Sequence, residues 1–184
     1  MKRFALPTVL AAVAAFSVTS PARAQYVFFG GGPTFPMGDF KDVSDAKTGY
    51  TFLAGFGADI GSKGLFIEAE IGRGSNSHAN TGNLKEKTNV IMAFGALGYS
   101  FGAAESKVRP YLLGGAGLVA HQFRTDAPPP NGEGTESKFG ATGAGGLSIK
   151  LNEKANVWLE GRYVGSKGTS LVAGLFGITI NFGN

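Results

Sequence analysis

Two short stretches carry ionisable residues at alternate positions among apolar or small neighbours. Glu68 and Glu70 stand in LFIEAEIGR, and Glu160 and Arg162 stand in ANVWLEGRYV. Enzymes that hydrolyse glycosides commonly use a pair of carboxyl groups, one as the general acid and the other as the base or nucleophile. In an extended chain a spacing of two puts both members of each pair on the same face. The four groups are therefore the first candidates for a functional site.

Other residues with catalytic chemistry are few. The only histidines are His78, in a long polar segment that predicts a solvated loop, and His121, placed at the end of a strand near a membrane interface. Their spacing fits no metal site, and the chain has no cysteine to supply thiolate ligands. A lipid-modifying enzyme would need a nucleophile beside a base, and Ser137 with His121 lacks any local motif for this. We predict no catalytic residue, cofactor or metal.

The elements that must position these residues are strands. Glycine makes up 30 of the 184 residues, which disfavours helix, and no run has the 3.6-residue period of an amphipathic helix. Alternating apolar and small residues separated by turn residues instead predict eight strands. These lie at about 26–35, 49–60, 65–73, 88–101, 109–122, 139–151, 155–164 and 171–182.

The predicted connectors alternate in length, apart from a short last one at 165–170. Short connectors lie at 61–64, 103–107 and 152–154, and long polar ones lie at 36–48, 74–87 and 123–138. In an antiparallel meander, odd and even connectors fall at opposite ends of the sheet. One end is therefore predicted to carry tight turns and the other the larger loops.

The first 24 residues have the pattern of a secretory signal peptide. Two basic residues precede an apolar run over 4–18, and the small-residue pattern ARA predicts cleavage between Ala24 and Gln25. The apolar run is short for a membrane-anchoring helix, the alternative interpretation, which needs ~20 residues. We therefore predict a signal peptide at 1–24 and one domain at 25–184.

Charge and cysteine content restrict the kinds of protein to which the exported domain can belong. Of the 17 basic residues, 14 remain after residue 24 beside 13 acidic residues, so the basic footprint of a nucleic-acid-binding protein is missing. Without cysteines, stability must come from ordinary burial or from a membrane rather than from disulfides.

Most strands have one bulky apolar face and one small or polar face, whereas the facing of the fourth and fifth strands is ambiguous. This pattern fits either a soluble barrel or sandwich or an inverted barrel in a membrane. The predicted strands of 9–14 residues suit a tilted membrane strand of ~9–11 residues, whereas soluble strands have a mode of ~5–6. The polar face is mostly Gly, Ala, Ser and Thr, as suits a narrow interior. Aromatic residues near strand ends predict an interfacial girdle formed by Tyr50, Tyr99, Phe101, Tyr111, Tyr163 and Phe182.

An open sheet edge in lipid would leave unpaired backbone groups, each costing several kcal/mol. The amphipathic stretch LVAGLFGITINF is therefore predicted to close the sheet against the first strand. We predict an all-β, eight-stranded antiparallel up-and-down transmembrane β-barrel.

The sequence resembles the small outer-membrane β-barrels of the OmpA/OmpX type, often labelled porin-family proteins of Gram-negative bacteria. The resemblance covers 25–184 and includes the phrases PMGDF, GYSF, RPYLLGGAG, LEGRYVG and GITINF. It implies an outer-membrane location and a C-terminal aromatic signal for the barrel-assembly machinery. Here Phe182 is followed by two more residues, a departure from the common ending.

Inside a narrow eight-stranded barrel, strands three and seven lie opposite each other, and side chains fill the bore. We predict an interior polar network in which Arg162 bridges Glu68, Glu70 or Glu160. Asp59 and Lys150 form a second predicted pair near the tight turns. Pairing is close to obligatory, because an unpartnered buried charge costs several kcal/mol. The network either plugs the bore or forms a polar gate, and no sugar could reach its carboxylates.

The fold hosts adhesins, structural anchors, pores and enzymes, so it does not fix a function. We predict a non-enzymatic role in envelope structure or surface interaction through the long loops. A narrow pore for small solutes or ions is the first alternative, and a lipid-modifying enzyme is the second. The predicted partners are outer-membrane lipids and lipopolysaccharide, the assembly machinery, and host or surface ligands. We predict a monomer that does not bind nucleic acid.

Overall fold

The computed structural model describes residues 25–42, 45–61, 64–78, 86–125 and 133–182. Eight antiparallel strands form a closed barrel in chain order, and β1 pairs with β8. The predicted fold class is confirmed. The strands are β1 Gln25–Met37, β2 Gly49–Ile60, β3 Leu65–Ser77, β4 Glu86–Ser100, β5 Val108–Thr125, β6 Glu133–Lys150, β7 Ala155–Ser166 and β8 Thr169–Asn181, and one short helix, α1, spans Asp39–Asp42.

The barrel has a turn end and a loop end. The turn end carries the connections β2–β3, β4–β5 and β6–β7 together with the start of β1 and the finish of β8. Gly61 and Gly64 hold positive φ angles of 71° and 81° in the tight β2–β3 connection, a conformation that suits glycine. The loop end carries α1 and the longer connections, as the alternation of connector lengths predicts.

Several strands are longer than the alternation predicts, and the extra residues lie at the loop end. β3 continues to Ser77, β5 to Thr125, and β6 begins at Glu133 rather than near 139. The added residues are mostly polar on both faces, so the alternation of apolar and small residues fades there although backbone pairing continues. The long loops at 74–87 and 123–138 are therefore partly strand.

The bulky face of the sheet points outward. Phe52, Phe139 and Phe176 are 63%, 71% and 66% exposed, whereas the alternate positions are buried or line the bore. No helix among the described residues is long and apolar enough to cross a bilayer. An apolar outer surface on a closed sheet is the pattern of a barrel whose solvent is lipid.

The outward face supplies a direct test of this arrangement. Replacing Leu159, which is 53% exposed near the middle of β7, with arginine is expected to lower the free energy of unfolding in lipid vesicles by about 2–4 kcal/mol. The matched change Leu151→Arg, in the exposed β6–β7 turn, is expected to cost about 0–1 kcal/mol. Equal costs in urea titrations would contradict a lipid-facing position for Leu159.

Trp158 on β7 crosses the seam at which the barrel closes. Its indole ring lies on the backbones of Gly30 in β1 and Gly177 in β8, and a Cβ atom on either glycine would overlap the ring. The indole is buried at 6% exposure. Glycine at these positions therefore allows one aromatic side chain to pack across three strands.

β5 and β6 extend beyond their neighbours at the loop end. They pair with each other as far as Arg124 and Glu133, but β7 pairs with β6 only from Gly140, which lies opposite Ser166. The segment 133–139 of β6, here called the free edge, has β5 on one side. No backbone hydrogen bond from the described residues occupies its other side.

Candidate functional site in the barrel interior

A charged layer crosses the middle of the bore. Arg162 on β7 forms an ion pair with Oε1 of Glu70 on the opposite strand β3, and its Nε donates to Oε1 of Glu160 at 2.6 Å. All three residues are buried, at 3% exposure for Arg162 and 7% for each carboxylate. The attraction between the guanidinium group and the two carboxylates offsets part of the free-energy cost of removing these charges from water. Oε2 of Glu70 still has no hydrogen-bond partner among the described residues.

Two tyrosines complete this layer on the side of the turn end. The hydroxyl of Tyr26 donates to Glu68 at 3.0 Å, and the hydroxyl of Tyr111 donates to Glu160 at 2.9 Å. Glu68 is therefore held by a neutral tyrosine, and it forms no ion pair with any described residue. The prediction that Tyr111 belongs to an interfacial girdle is wrong. It shares the inward parity of Leu113, and its ring packs against Phe66 inside the bore at a centroid distance of 6.2 Å.

Asp59 and Lys150 lie near the turn end, but no ion pair joins them in the described part of the chain, so their predicted pairing is wrong. Asp59 instead shares a cavity with Arg109 of β5. Sequence reasoning missed Arg109 and Tyr26 because the facing of β5 was ambiguous and Tyr26 opens its strand. The available signal for Tyr26 is the parity that it shares with Phe28, whereas the alternation on β5 gives no signal for Arg109.

A cavity of ≈110 Å³ lies between the charged layer and the turn end. We call it the turn-end cavity. Strands from around the whole barrel contribute to its wall, so it occupies the bore rather than a groove on one side. It is lined by Tyr26, Phe28, Leu53, Asp59, Phe66, Glu68, Ser100, Arg109, Tyr111, Ser148, Asn156, Trp158, Glu160, Arg162, Thr179 and Asn181.

An apolar layer fills the bore from the loop end to the charged layer, and three of its members, Phe28, Leu53 and Trp158, also line the turn-end cavity. Its members are almost completely buried, with Val90 and Val119 at 0% exposure. Phe40 of α1 packs into the same cluster at 1% exposure and covers the layer from the loop end. The layer comprises Phe28, Phe40, Ala46, Leu53, Val90, Met92, Phe94, Val119, Trp158, Val164, Leu171, Ala173 and Leu175.

Both histidines are buried beneath the loops, which corrects the prediction of a solvated loop residue at 78. His78 contacts the hydroxyl of Thr88 at 2.6 Å and packs edge-on against Phe40. His121 is 2% exposed and lies 3.3 Å from the hydroxyls of both Ser166 and Thr169. The extension of β3 to Ser77 brings His78 to the end of the barrel wall, where it forms a β-bridge with Ala46, whereas His121 lies within the predicted bounds of its strand and faces the bore.

Ser137 does not meet His121. It lies opposite Ala120 on the outward parity of β6, whereas His121 points inward, so the two side chains are on different faces of the sheet. Among the residues that the structure describes, no group of three or more His, Cys, Asp or Glu side chains could hold a metal ion.

The remaining aromatics predicted for the girdle are on the outer surface. Tyr50 and Phe52 pack edge-on near the loop end, and Tyr99 and Phe101 do so at 5.0 Å near the turn end. Tyr163 and Phe182 are exposed on the outer face. Their contact with a membrane interface stays a prediction. The signal peptide at 1–24, with its cleavage residue Ala24, lies outside the described residues, and Gln25 is the first residue of β1.

A closed eight-stranded meander with an apolar exterior and an ionic interior defines the class of transmembrane β-barrels. Residues 8–182 match the family described as the outer membrane protein beta-barrel domain, and the chain belongs to this family. The Gram-negative outer membrane is therefore its expected location. No curated protein sequence matches the chain.

Solved structures support the same fold. Neisserial surface protein A is 17% identical with a TM-score of 0.61, over 86% of this chain and 99% of that one. Ail of Yersinia pestis, in a complex with the heparin analogue sucrose octasulfate, is 12% identical with a TM-score of 0.62, over 86% and 98%. The N-terminal barrel of Pseudomonas aeruginosa OprF is 14% identical with a TM-score of 0.56, over 87% and 98%. At these identities the likeness concerns the fold alone.

Proposed function

We propose that this protein is a non-enzymatic outer-membrane barrel that holds an interaction surface above the membrane. The free edge of β6 is the observation that carries the proposal. β5 and β6 have 18 residues each, roughly 60 Å at about 3.3–3.4 Å per residue, which exceeds what a tilted strand needs to cross a ~30 Å hydrocarbon core. Leu118 and Phe139 lie opposite each other as large exposed apolar residues on this ribbon. The described outward-facing residues beyond them carry only small or polar side chains, at Ala120, Gln122, Thr135 and Ser137.

The free edge offers backbone donors and acceptors to an extended polypeptide. Adding a strand to an exposed sheet edge is a general mode of peptide recognition, in which main-chain hydrogen bonds provide the affinity. Glu136 and Lys138 form an ion pair along the edge at 2.9 Å, and charge of this kind restrains indiscriminate pairing. Surface ligands of the proposed role are therefore extended segments of host or neighbouring surface proteins.

The interior supports a structural role for the charged network. The apolar layer and Phe40 separate the turn-end cavity from the loop end, so the ion pairs of Arg162 fill the bore and brace opposite walls. The turn-end cavity favours the narrow pore as the second candidate, because the bore holds about 110 Å³ of open space on the turn-end side of the charged layer. We further propose export through the signal peptide, insertion by the barrel-assembly machinery, a monomeric state, and contact with lipopolysaccharide around the outer girdle.

The edge is tested by changes that act on the backbone alone. The double variant Thr135→Pro/Ser137→Pro is expected to reduce adhesion of bacteria displaying the protein to epithelial monolayers by at least fivefold, because proline removes N–H donors. The double variant Thr135→Ala/Ser137→Ala at the same positions is the matched control and is expected to retain adhesion. Equal adhesion by all three proteins would refute strand addition.

Planar bilayers separate the surface role from the pore. The purified barrel is expected to give no discrete conductance. Steady single-channel steps that change in Arg162→Ala would favour the pore over the structural role of the network.

A further inference from the structure

The turn-end cavity has the size and position of a ligand site. Its ≈110 Å³ is somewhat smaller than an apolar cavity of about 150 Å³ that holds benzene in another protein, so it admits a molecule of a few heavy atoms. The apolar layer closes it toward the loop end. Polar residues line its turn-end half, so a solute would enter between the short turns. These residues are Asp59, Ser100, Arg109, Ser148, Asn156 and Asn181.

The charges around the cavity do not balance. Arg162 is already held by Glu160 on the cavity wall and by Glu70 behind it, which leaves Glu68 facing a neutral tyrosine. Arg109 is the other cation on the wall, which it shares with Asp59 and Glu68. Cavity and layer together contain four carboxylates and two guanidinium groups. Glu68 and Asp59 line the cavity without an ion pair to any described residue, so a positive charge beside them in the cavity would be stabilised.

The walls determine which kind of cation fits. Five aromatic side chains surround the space, and the face of an aromatic ring attracts an organic cation while its surface packs against alkyl groups. An alkylammonium ion has three N–H donors for carboxylate and hydroxyl oxygens, which the cavity provides at Glu68 and Tyr26. The described residues offer no cluster of three or more metal ligands. The five aromatic residues are Tyr26, Phe28, Phe66, Tyr111 and Trp158.

We propose that the turn-end cavity binds a small primary ammonium ion, with the ammonium group against Glu68 and the alkyl chain against the aromatic walls. In an outer-membrane barrel the short turns face the periplasm. The ligand would therefore be a free periplasmic amine or the amine-bearing end of a periplasmic molecule. The site is distinct from the free edge and does not depend on the surface role.

Trp158 is the only tryptophan of the chain and lines the cavity, so its fluorescence reports occupancy directly. Propylammonium chloride, titrated into the full-length barrel in lipid nanodiscs, is expected to change this fluorescence with a saturable curve. 1-Propanol has the same alkyl chain without the charge, and sodium chloride matches the ionic strength. Both are expected to give no saturable change. Saturation with sodium chloride would overturn the organic ligand in favour of an inorganic cation, and no saturation with propylammonium would overturn the site.

Two substitutions test whether the fluorescence change of Trp158 depends on the carboxylate of Glu68. Glu68→Gln keeps the shape and an acceptor oxygen but removes the charge, and it is expected to weaken propylammonium binding at least tenfold. Glu153→Gln removes a carboxylate from the exposed β6–β7 turn and is expected to leave binding unchanged. Asp59→Asn provides a second cavity variant, expected to weaken binding at least threefold, if Glu68→Gln fails the heat-modifiable gel shift that reports folding. Unchanged binding in a folded cavity variant would contradict the assignment.

Discussion

Replacing Arg162 with alanine is expected to lower the free energy of unfolding by about 3–5 kcal/mol, because it leaves Glu70 and Glu160 buried without a cation. Most of the lost stability comes from leaving two buried carboxylates without an ion-pair partner, and less comes from the missing volume of the arginine side chain. Urea titration of the barrel in lipid vesicles, followed by the gel shift between folded and unfolded forms, measures it.

Two further variants separate the effect of the unpaired charges from the effect of lost packing. The triple variant Arg162→Leu/Glu70→Gln/Glu160→Gln removes the charges together and is expected to recover more than half of the lost stability. Lys154→Ala removes an exposed cation at the turn end and is expected to change stability by less than about 0.5 kcal/mol. If the single and triple variants were equally unstable, packing rather than charge would explain the effect.

Trp158→Ala is expected to cost about 3–5 kcal/mol in the same titrations. The substitution removes the ring that packs against Gly30 and Gly177 across the closing seam, and the backbones of β1 and β8 cannot collapse into the space. The conservative change Trp158→Phe is expected to retain most of the stability.

A pair of glycines on β8 provides the control for this packing. Gly177→Ala places a methyl group against the indole and is expected to be destabilising, whereas Gly174→Ala meets no atom within 4 Å and is expected to be neutral or slightly stabilising. If both alanine variants had the same stability, the indole would not be seated on Gly177 as described.

The fold could be predicted from the sequence because β2, β3, β6, β7 and β8 alternate with a clear period of two. The parity of Ile67, Leu159 and Phe176 predicts their outward positions, and parity places Glu68, Glu70 and Arg162 in the bore. The length of the alternating runs and the alternation of connectors then favour a closed membrane meander. Closure follows from backbone hydrogen bonding, which lipid cannot satisfy.

The contacts inside the bore were harder to predict from the sequence. Parity puts Asp59 and Lys150 on inward faces but does not fix their heights, because barrel stagger shifts each strand against the strand across the bore. On β5, glycine and alanine occupy both faces, so Tyr111 and Arg109 could not be assigned from alternation. The burial of His78 depends on α1, whose four residues carry no helical periodicity that a sequence pattern could detect.

The pairing of β1 with β8 also determines when this protein can fold. Tyr26 and Asn181, which are partners in the sheet, emerge from the ribosome at opposite ends of synthesis. A partial chain can pair the first strand with β2 but leaves its other edge open until β8 is made, and contacts of such long sequence separation form slowly. The nascent polypeptide must therefore be kept from aggregating during its transit until every strand has been delivered, which makes chaperone protection a requirement of the topology.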